Sequence, residues 1–230
     1  MVSGSQEGIV KAVRSELWKY GRKIIESGLV VGPGGNISAR AGNVMYISPS
    51  GYAFDDVEPE DYVGVDISSG DLVDVNENKK PSSEVLMHLA CYRARQDVGA
   101  VVHIHPAYGI AVASTIGRLE AMFPDFAAYV GKVGMLGYVV PSSAELAEAV
   151  ERKIVDYNAI LMSNHGAVTV GANLKEAFYR AVILEEGAKI FVLSKILGEP
   201  RVFSEEDVEE IRNLGAEKYR TQLLKQSRQA

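Results

Sequence analysis

Gly99-Ala-Val-Val-His-Ile-His105 sets two imidazoles two residues apart in an apolar run. The run is short, rich in β-branched residues and closed by Pro106, which predicts a buried strand. Side chains on a strand alternate between faces. His103 and His105 therefore point one way, while Val102 and Ile104 point the other. Two adjacent imidazoles can chelate one ion, and imidazole is a common zinc ligand. The chain holds only four histidines. A third, His165, lies in Ala159-Ile-Leu-Met-Ser-Asn-His-Gly166, again where a predicted strand ends at a turn glycine. Three histidines with no cysteine beside them suggest three protein ligands and an open fourth position. That is the layout of a catalytic metal rather than a structural one.

The rest of the chain arranges itself around this strand. Helical spacing of Ile9, Val13, Leu17, Tyr20 and Ile24 predicts a first helix over residues 5–27. Short strands are expected at 36–40 and 44–47, and a hairpin pairs 62–67 with 72–75 around Ser68-Ser-Gly70. A polar segment, 76–80, leads to Pro81-Ser-Ser-Glu84, which opens a helix running to about residue 96 with Ser as its cap. After the histidine strand come a helix at 106–115, an unassigned region at 122–131, a strand at 132–140 and a helix at 142–155. Strands at 159–163 and 167–170, a long helix at 174–197 and one charged helix after Ser204 complete the pattern. Hairpins mixed with crossover helices predict one α/β domain with a mainly antiparallel sheet, because 36–75 lacks the helices a parallel sheet needs.

Composition narrows the function classes. The 230 residues fit a single domain, 1–230. A net charge of −6 offers no basic footprint for nucleic acid or an anionic membrane. No apolar run approaches the roughly 20 residues that cross a bilayer. The N-terminal residues lack a secretion signal and there is one cysteine, Cys91, so the cytoplasm is the expected compartment. Cys91 sits among Leu89, Ala90 and Tyr92, as a core residue would.

Several motifs carry both a structural and a functional meaning. Pro81-Ser-Ser-Glu84 could be only a helix cap, or its free N–H groups and hydroxyls could bind an anion. Gly32-Pro-Gly-Gly-Asn-Ile-Ser38 and Ser48-Pro-Ser-Gly51 could be plain turns, or places where backbone closes on a ligand. His88, four residues after Glu84, is expected to pair with Glu84 or solvent rather than bind metal. Lys79, Lys80, Lys132, Lys153 and Lys175 stand in polar or helix-end contexts, which argues against Schiff-base chemistry. No Gly-x-Ser-x-Gly elbow supports a serine hydrolase.

Taken in order, Gly-Asn-Ile-Ser, Ser-Pro-Ser-Gly, Lys-Pro-Ser-Ser-Glu, Ala-Val-Val-His-Ile-His and Asn-His-Gly resemble the class II, zinc-dependent sugar-phosphate aldolases, the L-fuculose-1-phosphate type above all. The resemblance implies a three-layer α/β/α domain, assembled as a homotetramer with sites between subunits. It implies Zn²⁺ on His103, His105 and His165, and Glu84 as general acid/base. Gly35, Asn36, Ser50, Gly51, Ser82 and Ser83 would surround the substrate phosphate. A tyrosine near the chain's end would serve a neighbouring subunit; Tyr219 is the candidate and Tyr129 the second. The implied reaction cleaves a ketose 1-phosphate into dihydroxyacetone phosphate and an aldehyde.

Departures from the family pattern are Ser50, where threonine is usual, and residues 122–132, which do not follow the fuculose type. Epimerases of the fold carry Asp where Glu84 stands. Decarboxylases and dehydratases keep the histidines, whereas non-catalytic adducin-type heads lack them.

Overall fold

The computed structural model describes residues 4–74 and 78–226. Residues 1–3 and 227–230 lie outside them, as do Val75, the last residue of the predicted hairpin, and Asn76 and Glu77 of the predicted polar connector. Helix α1 (Gly4–Glu26) leads to strands β1 (Asn36–Ala41), β2 (Val44–Ile47), β3 (Val63–Asp66) and β4 (Leu72–Asp74). Helix α2 (Val85–Ala94), strand β5 (Ala100–Ile104) and helix α3 (Ala107–Thr115) follow. Strand β6 (Gly134–Leu136), helix α4 (Ala144–Ile154), strands β7 (Ala159–Met162) and β8 (Gly166–Gly171) and helix α5 (Leu174–Leu197) come next. Helices α6 (Glu205–Asn213) and α7 (Gly215–Gln226) end the described chain.

The strands form one eight-stranded sheet in the order β4-β3-β2-β1-β5-β8-β7-β6. Every neighbouring pair is antiparallel except β6 with β7. Alternation along β5 divides the core. Ala100, Val102 and Ile104 pack with residues of α1, α3 and α5, while Val101 packs with α2 and α4 on the other face. The result is the expected three-layer α/β/α domain. Both core faces exclude water from the central strands, since all five residues of β5 and all six of β8 are buried.

Three expectations need correction, and one open region is filled. The strand predicted over 132–140 is only Gly134–Leu136. Its parallel partner β7 stops at Met162, so residues 137–140 have no ladder, and Tyr138 and Val140 are exposed. The single charged helix after Ser204 is two helices, because Leu214 turns extended (φ −55°, ψ 135°) between them. The region left open at 122–131 contains a five-residue π-helical turn, Phe126–Val130, with Phe126 fully buried.

The third correction concerns the cap. Helix α2 begins at Val85 with Glu84 at its N-cap, and no side chain caps it. Pro81 bridges to Pro49, and the Ser82 N–H donates to the Ser48 carbonyl, which holds 81–82 extended against the neighbouring loop. Ser82 instead accepts from the Glu84 N–H on its Oγ (3.3 Å) and from the Val85 N–H on its carbonyl. Cys91, by contrast, is buried as expected, and burial pushes its thiol up to about 12.

Candidate metal centre

The C-terminal end of β5 carries His103 on the face that looks toward α2, and His105 follows just past the ladder. The His105 N–H is tied to the Leu29 carbonyl at 3.1 Å, which fixes the strand's exit. Across the sheet, β8 pairs His103 with Val168 and Ile104 with Ala167. The β7–β8 turn passes through Asn164 at φ +57°, a conformation that Asn tolerates, and brings His165 over the same point. Glu84 arrives from the start of α2. One ligand atom from each of Glu84, His103, His105 and His165 lies within 4.8 Å of all the others.

The hydrogen bonds fix what each nitrogen offers. His103 Nδ1 is 2.9 Å from the Ala167 carbonyl, which can only accept, so Nδ1 carries the proton. In the neutral ring Nε2 is then bare, as a metal ligand must be. That Nε2 lies 3.1 Å from His105 Nε2 and 2.8 Å from Glu84 Oε2. Burial, then the neighbouring His103 and His165 rings, push the His105 imidazolium down to about 4, leaving it neutral near pH 7. His165 Nε2 is 3.2 Å from Glu84 Oε1, but the approach is misaligned, and Oε1 has no hydrogen-bond donor although buried.

Lone pairs turned toward one another and toward a buried carboxylate repel unless a proton or a cation sits among them. Ligands about 2 Å from a tetrahedral ion stand roughly 3.3 Å apart, close to the separations seen here. The cluster therefore fits a divalent cation held by nitrogen and oxygen. Burial works to raise the Glu84 pKa, yet the neighbouring His103 and His165 rings and the Asn36 amide donor outweigh it and hold the carboxyl well below the usual carboxylate range.

The predicted anion-binding pieces gather on the same side. Asn36 pairs with His103 across β1 and β5, and its Nδ2 donates to Glu84 Oε2 at 3.1 Å. Gly35 sits at φ +73°, and a Cβ there would come within 2.8 Å of the His103 carbonyl, so only glycine lets this loop lie against β5. The Pro49–Pro81 bridge and the Ser50 N–H bond to the Lys80 carbonyl join the Ser48–Gly51 loop to the Ser82–Glu84 turn. Ser82 is buried there, whereas Ser50, Gly51 and Ser83 face solvent. Among the described residues, the N–H groups of Gly35 and Gly51 make no hydrogen bond and remain open to a ligand.

Two placements depart from the sequence pattern. His88 meets neither Glu84 nor solvent: it is fully buried between Asn36 and Ser38. The strand pairing that lays β1 over α2 decides this, and helix spacing alone gave no sign of it. Gly166 was visible only as a turn residue, yet a Cβ on it would strike the Ile104 carbonyl and approach His105 Cδ2 at 2.9 Å. Neither Tyr129 nor Tyr219 joins the hydrogen bonds of the cluster. Tyr219 stands 63% exposed on α7, and Tyr129 belongs to the π-helical turn.

Residues 15–192 match the class II aldolase and adducin N-terminal domain, and the chain belongs to that family. Over 205 residues it is 36% identical to a 5-deoxy-D-ribulose 1-phosphate aldolase of Bacillus thuringiensis serovar kurstaki, covering 88% of this chain and 95% of the relative. A 3-oxo-tetronate 4-phosphate decarboxylase of Haemophilus influenzae is 30% identical over 204 residues, 86% of this chain and 94% of its own. A solved L-fuculose 1-phosphate aldolase superposes with a TM-score of 0.81 at 32% identity, over 96% of this chain and 98% of that one. Fold and relatives together make this an enzyme of the class II aldolase type. No described helix is long and apolar enough to cross a membrane.

Proposed function

We propose that the chain, acting as one catalytic domain over 1–230, is a Zn²⁺-dependent aldolase. It would cleave a ketose 1-phosphate reversibly into dihydroxyacetone phosphate and an aldehyde. L-Fuculose 1-phosphate and 5-deoxy-D-ribulose 1-phosphate are the substrates suggested by the names of its relatives. One observation carries the reading: three imidazoles converge on a buried carboxylate, within 4.8 Å of one another. His103, His105 and His165 would hold the cation. When bound, it supplies positive charge where negative oxygen develops as the C–C bond breaks.

The chain's own residues account for the other steps. Glu84, kept ionised by the rings and the amide around it, takes the proton from or returns it to the reacting carbon. The open N–H groups of Gly35 and Gly51, with Asn36 and the hydroxyls of Ser50, Ser82 and Ser83, hold the phosphate. Binding energy gathered there is remote from the bond that breaks. The exposure of Tyr219 suits a residue that serves a neighbouring subunit's site in a homotetramer. One cysteine suits a cytoplasmic enzyme.

Elemental analysis should find about one zinc per chain, and dihydroxyacetone phosphate should condense with lactaldehyde or acetaldehyde. Glu84→Gln should retain the metal and lose roughly 10²- to 10⁴-fold in turnover. Full turnover in that variant sinks the assigned role. The decarboxylase relative supports a second reading, loss of CO₂ from a phosphorylated sugar acid at the same cluster. Release of CO₂ without aldol condensation would select it.

A further inference from the structure

Behind Glu84 and Asn36 lie three buried polar groups, His88, Ser38 and Tyr92, that the reaction does not use directly. Tyr92 Oη is 2.8 Å from Ser38 Oγ, and Ser38 Oγ is 2.7 Å from His88 Nδ1. His88 Nε2 is 2.6 Å from Asn36 Oδ1, and Asn36 Nδ2 is 3.1 Å from Glu84 Oε2. His88 and Tyr92 on α2 and Ser38 on β1 are all fully excluded from solvent.

The direction of every bond in this row follows from its last member. A carboxylate oxygen can only accept, so Asn36 must turn its NH₂ toward Glu84 and its carbonyl toward His88. That carbonyl also only accepts, so His88 carries its proton on Nε2. Nδ1 is then an acceptor and takes the Ser38 hydroxyl proton, and Ser38 Oγ in turn accepts from Tyr92. Burial, the largest influence, pushes the His88 imidazolium down to about 3, which keeps the ring neutral and this tautomer in place. No member has a free rotor that could reverse the row without leaving two acceptors face to face in a buried site.

We propose that His88 is a positioning residue: through Asn36 it locks the orientation of the Glu84 carboxylate that serves the reacting carbon. The inference rests on the role given to Glu84 above. Without the Nε2–H donor the Asn36 amide can rotate, and Glu84 Oε2 loses its fixed donor. The carboxylate then swings relative to the histidines while the histidines stay in place.

Two variants and one spectrum test this. His88→Leu removes both bonds. His88→Gln restores a donor and an acceptor about as far apart as the two ring nitrogens. For condensation with dihydroxyacetone phosphate, His88→Leu should lose about 10- to 100-fold in kcat. Its KM should change less than threefold and its zinc content should stay full, and His88→Gln should recover most of the rate. Unchanged kcat in His88→Leu overturns the proposal. So does an equal loss in both variants, or a loss that follows zinc content, since either marks a merely structural residue.

The ¹⁵N spectrum of the zinc-loaded wild type has four histidines to assign, and His88 is the one missing in His88→Gln. It should show an Nε2–H, bare-Nδ1 ring that does not titrate above pH 5. An Nδ1–H ring overturns the proposal, even where His88→Leu fails to fold. A wild type inactive in condensation but with the Nε2–H ring defeats the aldolase reading and leaves the hydrogen-bonded row standing.

Discussion

Asn36→Asp replaces an amide with a carboxylate of the same shape, beside Glu84 in a site closed to water. Asn36 and Glu84 are 7% and 6% exposed, so salt screens little between them. In the wild type the facing atoms are Nδ2 and Oε2, 3.1 Å apart. An oxygen at the Nδ2 position turns a donor–acceptor contact into two like charges. At an effective dielectric constant of about 20, their repulsion is about 5 kcal/mol. That is enough to raise the cluster's affinity for one proton by about four decades.

The consequence is a pH-dependent loss of stability in the chelated protein. The folded variant binds one more proton than the unfolded chain from about pH 4 to about pH 8, with the introduced carboxyl at position 36 carrying it. Stability therefore falls as pH rises, by about 1.4 kcal/mol per pH unit relative to the wild type. The difference from wild type should be about 1 kcal/mol at pH 5 and about 4 kcal/mol at pH 7. Urea unfolding of both proteins with excess chelator, at pH 5, 6 and 7, measures it. A difference that is the same at all three pH values refutes the electrostatic account of the site. His88 Nε2–H can still donate to Asp at this position, so its bond is not the variable.

Two further outcomes follow from the same packing. Gly166→Ala drives a Cβ into the Ile104 carbonyl and toward both His105 Cδ2 and His103 Cε1, 2.9 and 3.2 Å away. Pinned between β1 and β8, strand β5 has little room to yield, so the variant should lose about 1–3 kcal/mol of stability. Its zinc affinity should fall at least roughly tenfold, and a competitive metal titration with unaltered affinity counts against this placement of His103 and His105. Chelation of the wild type should lower its unfolding free energy by about 4 kcal/mol relative to protein held at a thousandfold excess of zinc over its Kd. Coincident unfolding curves with and without chelator would mean that the histidine cluster does not bind the ion in the folded state.

The sequence by itself determined the sheet, most helices and the histidine set, because those signals are local. Period-two alternation puts His103 and His105 on one side of a strand whatever surrounds it. Helical spacing likewise places α5 at the predicted residues, Leu174–Leu197. Failures came where long-range pairing decides. The strand expected over 132–140 is cut short by the end of β7, and the serine cap expected before α2 gives way to the tie of Ser82 to Ser48.

The tertiary structure alone decided the partner of His88. On α2 it is one turn from Glu84, and a helix presents both on adjacent positions. Only the pairing of β1 with β5 sets Asn36 and Ser38 beneath that helix, 48 residues before Glu84 and 50 before His88. Only the three-layer packing buries the whole row so that each proton has a single place to go. Local pattern names the residues that can bind a metal or move a proton. Which atom faces which is set by contacts between distant segments, and hydrogen-bond direction follows from them.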